Sequence, residues 1–475
     1  MKKLTPLVFL LISIVSYGQI DFGSPTAASL GGAVTATAKS WEAIEINPAN
    51  LGWGDNYPFS MSLANVGINL QGNGLSFSEL KQFENHLSDS ITPAQRQQMY
   101  NAETAPGGVN LNATVTWAAF SFYIPKIGGF AINLTDELFV HAQLNKSAAT
   151  AISNLLENDT LEAIALIKQD PDLFTNSPTS LLSGSNAGGY HYRELNIDYG
   201  RKLLTIKTHG KGTGGASFES SEFTDTTKAT RHNVSNPIVI YGGIGVKPIW
   251  GLGDYNSNVV GTENYEEGTY VYDNPNYGKE LLSNTFTANG HGYGVDLGLS
   301  ASYKKWKIGA SAIDLGKITW TSNSFVNATV EFPSIDSAET FLANNTKVFQ
   351  YFTARGTGPN YTTQLPSKFR SGISYQPTKW IELSGDFVAP LNTVEGNLLH
   401  PYIAAGAYIR VFHFLSLSAG YASEQEFPTV VPVGVFLNFV ENVQFFAGTN
   451  DLIAYLNPDN GRVISVSFGF KLFGF

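Results

Sequence analysis

The stretch Val295–Lys304, which reads Val-Asp-Leu-Gly-Leu-Ser-Ala-Ser-Tyr-Lys, decides the fold class because its apolar and polar residues alternate without interruption. Side chains of a β-strand point alternately to opposite faces, so residues two apart share a face. The apolar face consists of Val295, Leu297, Leu299, Ala301 and Tyr303. The other face consists of Asp296, Gly298, Ser300, Ser302 and Lys304. The stretch therefore predicts a strand that is apolar on one side and polar on the other.

The same alternation recurs along most of the chain beyond residue 57, most clearly in 109–119, 415–421 and 464–472. Many predicted strands run for about 10 to 14 residues, whereas strands of soluble sheets average about 5 to 6. A strand that crosses a bilayer at a tilt near 45° needs about 9 to 11 residues. Length and two-sided patterning together predict membrane-crossing strands.

Short and long connections alternate between the predicted strands. The short ones are predicted at Pro125–Ile127, Gly200–Arg201, Pro248–Trp250, Lys304–Lys305, Gln376–Thr378, Phe412–His413 and Glu441–Asn442. The long ones are about 71–108, 142–189, 209–236, 273–290 and 334–365. This alternation is typical of an up-and-down antiparallel barrel with short turns on one rim and long extracellular loops on the other. We therefore predict an all-β transmembrane β-barrel over residues 57–475, with about 16 candidate strands.

Five tryptophans fall at or near predicted strand ends: Trp117, Trp250, Trp306, Trp320 and Trp380. Membrane barrels have girdles of aromatic residues at both interfaces, which predicts positions of this kind. The alternative is packing in the protein interior, since tryptophan is also a routine core residue.

The composition narrows the range of functions. Charged residues make up 14% of the chain, compared with roughly 25% in soluble domains, and the net charge is −10. An acidic chain with no run of Lys or Arg disfavours nucleic acid as a partner. There is no Cys, no pair among the eight His has metal-binding helical spacing, and neither G-x-S-x-G nor a Walker loop occurs. We therefore expect no catalytic residue, no metal site and no cofactor, and we do not expect an enzyme.

The N-terminus has the pattern of a secretory signal peptide. Lys2 and Lys3 precede an almost wholly apolar run, Leu4–Val15, and small residues follow it. An N-terminal anchor helix is the alternative, but the run is shorter than the about 20 residues that span a bilayer. We predict a signal peptide at 1–18, cleaved after Gly18, and a location in the cell outer membrane.

Residues 19–56 lack the long alternation of the remaining chain. They begin with small, semi-apolar residues such as Ala27–Val34 and continue to the element Asn47-Pro48-Ala49-Asn50-Leu51. Asn-Pro is a turn dipeptide. Such a segment before the first strand is either a periplasmic tail or a plug inside the lumen of the barrel.

The small-residue N-terminus and the element Asn47–Leu51 resemble those of FadL-type outer-membrane transporters of long-chain fatty acids and other hydrophobic compounds. More narrowly, Leu365–Tyr375 and Trp306–Ile318 resemble stretches of a branch of this family found in Bacteroidota. The resemblance implies a barrel of 14 strands with an N-terminal hatch in its lumen, fewer than the strands counted from the residues. It assigns three residues to the hatch as gate residues and leaves the ligand-binding residues unassigned. These hatch residues are Asn47, Pro48 and Ala49.

Two functions remain open. In the first, the barrel admits hydrophobic small molecules similar to long-chain fatty acids. The resemblance implies that extracellular loops collect the ligand, that it enters the plugged lumen and that it leaves sideways through a kinked strand. In the second, the barrel does not transport and is a subunit of an outer-membrane secretion or assembly complex. The expected partners are outer-membrane lipid, a hydrophobic ligand and, for the second function, other outer-membrane proteins.

Overall fold

A computed structural model describes residues 24–72, 108–143, 184–208, 216–220, 237–260, 263–270, 288–321, 324–331, 350–357, 359–424, 429–440, 442–458 and 463–473. The predicted signal peptide lies outside these residues, as do most residues of the long connections. None of the helices in the described part of the chain has the length and apolar character needed to cross a membrane.

Twenty strand segments form one antiparallel sheet. They are β1 (Phe59–Gly72), β2 (Val109–Ile124), β3 (Gly128–Gln143), β4 (Asn186–Thr208), β5 (Ala216–Ser220), β6 (Ile238–Val260), β7 (Glu263–Tyr270), β8 (Gly290–Tyr303), β9 (Trp306–Ile313), β10 (Lys317–Trp320), β11 (Ser324–Glu331), β12 (Gln350–Thr357), β13 (Tyr361–Gln364), β14 (Lys368–Thr378), β15 (Ile381–Pro390), β16 (Tyr402–Arg410), β17 (Leu415–Glu424), β18 (Val433–Val440), β19 (Val443–Thr449) and β20 (Val463–Phe473).

The sheet closes into a barrel because β1 pairs with β2 on one side and with β20 on the other. Two wall strands consist of two segments each. β9 and β10 both pair with β8, and on their other side they pair with β14 and β13. The short strands β5, β7, β11 and β12 extend strand pairs beyond the wall. The wall therefore has 14 strands, and the predicted up-and-down antiparallel barrel is confirmed.

The count of about 16 strands is wrong because two predicted turns lie inside strands. Gly200–Arg201 belongs to β4 and Pro248–Trp250 belongs to β6, and residues of both stretches pair with the neighbouring strands. Glycine and proline are strong turn signals in a sequence. Each of the two wrongly predicted turns divided one strand into two and so raised the strand count by one.

The connection after β4 lies on a different rim of the barrel from the one predicted. Because β4 runs on to Thr208, the connection 209–236 leaves from the rim that carries the turn after β2. The sequence had placed it with the long loops of the opposite rim. The turn predicted at Gln376–Thr378 lies two residues later, at 379–380, because β14 continues to Thr378.

The barrel wall has the two faces that the alternation predicts. On β8, Leu297 and Leu299 are 46% and 58% exposed, whereas Asp296 and Ser300 are buried. The exposed apolar side chains form the outer surface and the polar ones face the lumen. A closed sheet has no unpaired edge, so a wall with an apolar exterior is suited to lipid.

Some of the tryptophans lie at the membrane interface and others in the protein interior, the two positions considered from the sequence. Trp306 and Trp380, next to short turns, are 45% and 46% exposed, as expected of an interfacial girdle. Trp320 is 0% exposed and faces the lumen, so the girdle prediction is wrong for this residue.

Residues 24–57 form a plug inside the lumen, which we call the hatch. The hatch contains helix α1 (Pro25–Ser29) and two 3-10 helices, Ser40–Ala43 and Pro48–Gly52. α1 contacts β1 and β17–β20, whereas Pro48–Gly52 contacts β3, β4, β6 and β8. The hatch thus contacts strands on opposite sides of the barrel from within the lumen. The alternative of a periplasmic tail is therefore excluded for these residues. A second short helix, α2 (Ile453–Leu456), precedes β20.

Candidate functional site: the hatch and the lumen

The turn predicted at Asn47–Ala49 is the start of the second 3-10 helix. The Oδ1 of Asn47, the N-cap residue, accepts a hydrogen bond from the backbone N–H of Ala49 at 3.1 Å. Pro48 occupies the first position of the helix, where its missing N–H has no partner to lose. The Nδ2 of Asn47 donates to the carbonyl oxygen of Leu299 on β8 at 3.1 Å. One buried side chain therefore shapes the hatch and ties it to the wall.

A row of four glycines in the wall forms the seat of this helix, and we call the row the glycine belt. It consists of Gly129 on β3, Gly200 on β4, Gly243 on β6 and Gly298 on β8, each directly opposite the next. A Cβ built on any of the four would come closer than 3.0 Å to an atom of Asn47, Pro48 or Leu51. Only glycine lets the hatch backbone lie this close to the wall. This contact explains why a glycine stands inside β4.

Arg370 of β14 holds the first half of the hatch. Its guanidinium is fully buried and donates to Thr35 Oγ1 at 3.1 Å and to the carbonyl oxygen of Gly32 at 2.9 Å. Asp386 of β15 lies 3.8 Å from the same guanidinium and accepts from the backbone N–H groups of Val34 and Thr35 at 3.0 and 2.8 Å. Charge-assisted hydrogen bonds of this kind are the stronger ones, so this contact fixes the position of the hatch.

A second buried charge network lies beside the glycine belt, and we call it the ion cluster. The Nζ of Lys247, on β6, lies 2.5 Å from Asp314, 3.2 Å from Asp296, 3.3 Å from Glu45 and 4.0 Å from Glu194. Glu45 belongs to the hatch and the other carboxylates belong to the wall. The side chains of the lysine, Asp296 and Glu194 are 0% exposed. The cluster therefore joins hatch and wall with one cation and four acids.

The connection 391–400, between β15 and β16, folds into the mouth of the barrel. Glu395 accepts a hydrogen bond from the Nδ2 of Asn256, on β6, at 3.2 Å. A Cβ built on Gly396 would come closer than 3.0 Å to the phenol oxygen of Tyr190 on β4. The connection thus crosses the lumen on the rim opposite the short turns. We call it the cap.

The lumen below the cap is lined by aromatic side chains, which we call the aromatic cluster. The cluster consists of Phe139, Tyr190, Tyr192, Trp320 and Tyr361, with Ile249, Ile318 and Leu365 packed among them. Its rings lie close together, with centroids 5.3 Å apart for Tyr190 and Tyr192 and 6.4 Å apart for Trp320 and Tyr361. Trp320 also donates from Nε1 to Thr363 Oγ1 at 2.8 Å. Along β4 the inward positions pass from Tyr190 at the cap to Glu194 in the ion cluster.

The wall beside the aromatic cluster has an interrupted hydrogen-bond ladder. Glu194 of β4 pairs with Ile249 of β6, and pairing resumes only at Ile197 with Val246. The interruption lies opposite Pro248, which has no N–H to donate. The sequence presented this proline as a turn, but Pro248 lies inside β6, exposed on the outer face of the wall.

A cavity of about 700 Å³ lies on the other side of the hatch, towards β15, β16 and β18–β20. Its lining combines apolar side chains such as Leu30 and Phe436 with charged ones such as Arg410 and Lys471. The cavity therefore borders the hatch on the side that the glycine belt does not cover.

The three predicted gate residues lie together at the glycine belt, and their role as a gate stays a prediction. The belt, the ion cluster and the role of Arg370 were not predicted from the sequence. A usable signal for the belt is a glycine on the inward parity of four neighbouring strands. Lys247 and Asp296 likewise stand on the inward parity, where a charge needs a partner.

A closed antiparallel barrel with an apolar exterior and a folded plug defines a membrane-spanning β-barrel protein with a luminal hatch. The chain belongs to the family of unknown function DUF5723, whose model matches residues 48–450.

Among similar solved structures is the toluene transporter TodX of Pseudomonas putida, with 10% identity and a TM-score of 0.41 over 96% of this chain and 98% of that one. A FadL homologue of Pseudomonas aeruginosa has 9% identity and a TM-score of 0.40 over 96% and 98%. No curated protein matches the chain. At identities and TM-scores this low, the function has to be argued from this chain's own residues.

Proposed function

We propose that the protein is an outer-membrane channel that admits hydrophobic small molecules. The observation on which the proposal rests is the aromatic cluster, which faces the lumen instead of the lipid. Barrels that conduct water-soluble solutes have a polar interior. Pockets for hydrophobic ligands are lined mainly by apolar and aromatic side chains with a few polar groups among them. The inward rings of this barrel fit the second description.

The proposed route starts at the cap and passes the aromatic cluster. The hatch then blocks a straight path to the other rim, because it is seated on the glycine belt and held by Arg370. A ligand therefore leaves sideways, and we place the exit at the interrupted ladder opposite Pro248. Fewer main-chain hydrogen bonds join the two strands there, so separating them costs less than elsewhere in the wall.

The residues Asn47, Pro48 and Ala49 act in this proposal as the fixed end of the gate. Asn47 bonds to β8, while Ala49 is fully buried beneath the neighbouring strands. In this proposal the hatch stays seated on the glycine belt, and the ligand leaves through the wall beside it.

The test compares uptake of labelled oleate and toluene by cells with the wild-type gene, a deletion, Trp320→Ala or Trp306→Ala. We expect the deletion and Trp320→Ala to lower uptake of at least one compound. Trp306→Ala is the matched control, since this tryptophan is exposed on the outer face of β9. Surface level and heat-modifiability of each barrel show whether the variants fold.

Unchanged uptake of both compounds in the deletion strain would contradict transport. If the purified protein then also arrives with stable protein partners, the second function, a subunit of an outer-membrane secretion or assembly complex, replaces the first. Equal losses in Trp320→Ala and Trp306→Ala would show that the aromatic cluster has no specific role.

A further inference from the structure

We propose that the ion cluster, together with Asp198, is a calcium-binding site that fastens the hatch to the barrel wall. The proposal does not depend on transport, because it concerns only the charges that surround Lys247. The sequence alone predicts no metal site, because these carboxylates are far apart along the chain.

The first argument is the balance of charge. Four carboxyl groups lie within 4.0 Å of one ammonium, and a fifth, Asp198, lies over Gly245, which is directly opposite Asp296. If all are ionised, the group has a net charge of −4, and its members on the wall are almost completely buried. Burying unpaired charge is strongly unfavourable. The site therefore needs protons or a further cation.

The second argument is the state of Asp198, which is independent of the contacts to the lysine. Asp198 is 1% exposed, and neither of its carboxylate oxygens has a hydrogen-bond partner. Its carboxylate lies over Gly245, and Gly245 is directly opposite Asp296 on the next strand. The unpaired oxygens thus point along the inner wall towards the cluster. Buried polar atoms are almost always satisfied, so oxygens in this position indicate a missing ligand.

The third argument is the spacing of the carboxylates. One oxygen each from Glu45, Glu194 and Asp314 lie within 4.8 Å of one another. An ion with bonds of about 2.3–2.6 Å, the range of Ca²⁺, can bridge oxygens up to about 5 Å apart. Mg²⁺, with bonds of about 2.0–2.1 Å, bridges only about 4 Å and demands regular geometry. The set contains only oxygen donors, which favours a hard cation over zinc or copper.

Protons are the competing solution. Burial and the neighbouring carboxyl of Glu194 raise the pKa of Glu45 well above its usual value. A proton on Glu45 can thus neutralise part of the charge without a metal. A cation has one consequence that a proton does not have. It bridges a hatch carboxylate to two wall carboxylates, so its removal loosens the hatch.

The experiment measures Ca²⁺ binding to the full-length purified protein in detergent after chelator treatment. CaCl₂ is titrated into the protein in a calorimeter, and thermal unfolding is followed with and without CaCl₂. Both measurements are repeated with MgCl₂ for comparison. We expect Ca²⁺ to bind, to raise the unfolding temperature and to protect the hatch from protease, and Mg²⁺ to do so less. In Glu45→Gln and Asp314→Asn we expect Ca²⁺ affinity to fall by about tenfold or more, since affinity follows the number of charged ligands.

Asp55→Asn is the matched control, because Asp55 is a hatch carboxylate that pairs with Lys39 and Lys307 outside the cluster. It should bind Ca²⁺ as the wild type does. Wild-type protein that binds no Ca²⁺ at millimolar concentration overturns the proposal, even if the variants fail to fold. Unchanged affinity in a folded Glu45→Gln protein overturns it as well, since Ca²⁺ would then bind elsewhere on the barrel.

Discussion

Gly243 of β6 and Pro48 of the hatch are packed backbone against backbone, and a Cβ built on Gly243 would come closer than 3.0 Å to the carbonyl carbon of Pro48. The glycine therefore acts as a recess in the wall. Its neighbours in the glycine belt repeat the same relationship, so one 3-10 helix is received by four strands.

The change Gly243→Ala tests this recess. The added methyl group has no flexible neighbour to push aside, because the atoms that it meets are backbone atoms. We expect a loss of about 1–3 kcal/mol of stability, the usual cost of overpacking a rigid site. Denaturant unfolding of the detergent-solubilised barrel measures the loss, and limited proteolysis shows whether the hatch has left its seat.

Gly385→Ala on β15 is the control, since the nearest atom to its added Cβ is 3.7 Å away. It should leave both readouts close to the wild type. If Gly243→Ala behaves like this control, the hatch does not rest on the belt.

Asn47 has two separable tasks, and a pair of substitutions distinguishes them. Asn47→Ser keeps an N-cap oxygen that can accept from Ala49 but loses the donor to Leu299, whereas Asn47→Ala loses both. We expect Asn47→Ala to cost about 1–2 kcal/mol, typical of a lost N-cap. The hatch should be cleaved by protease more slowly in the wild type than in Asn47→Ser, and more slowly in Asn47→Ser than in Asn47→Ala. Equal rates in all three would show that this side chain does not hold the hatch.

Arg370 should be the most sensitive single contact between wall and hatch. Arg370→Met fills similar space but leaves Asp386 buried without its cation, and breaking such a pair costs about 3–5 kcal/mol. Urea unfolding provides the measurement. Arg410→Met is the comparison, because Arg410 is exposed at the end of β16; a loss of similar size in both variants would contradict a specific role for Arg370.

The cap should respond to pH through Glu395, which lies outside the barrel strands. Burial, with the nearby charge of Asp254, raises the pKa of Glu395 from 4.5 to about 7. The folded protein then holds this proton more tightly than the unfolded chain does. Stability is therefore greatest at the acid end, falls as the pH rises from about 4.5 to about 7, and does not change further above that range.

Hydrogen exchange in residues 391–400, followed between pH 5 and 8 with intrinsic rates corrected, measures this effect. The groups that face Glu395 are His141, Asp254 and Asn256. Glu395→Gln should be protected to the same degree at every pH in that range. A cap in the wild type whose protection is constant or grows with pH would show that the carboxyl is not the responsible group.

The sequence predicted the parts of the fold that depend on local pattern. Alternation between Leu299 and Ser300 identifies which side chain meets the exterior and which the lumen, because the period of a strand is two. The Asn47-Pro48 pair likewise predicts a turn from local chemistry alone. These features need no knowledge of what lies across the barrel.

Other features could not be predicted, since they arise from contacts between distant segments. From the sequence alone Gly200 predicts a turn, because the hatch backbone that packs against it is not visible there. Pro248 likewise predicts a turn, although β6 continues through it. The cap is similar, because nothing in the residues 391–400 indicates that Glu395 reaches β6. Lys247 is separated from Glu45 by 202 residues along the chain, so the ion cluster is visible only after the barrel has closed.

The position of α1 has a consequence for the order of assembly. This helix is made before every strand, yet its neighbours β17–β20 are made last. The contacts of α1 with these strands therefore form only after the last strands have been made. Contacts between segments so far apart in the chain form slowly. In a protein without β18–β20, α1 would lose most of its contacts with the barrel wall.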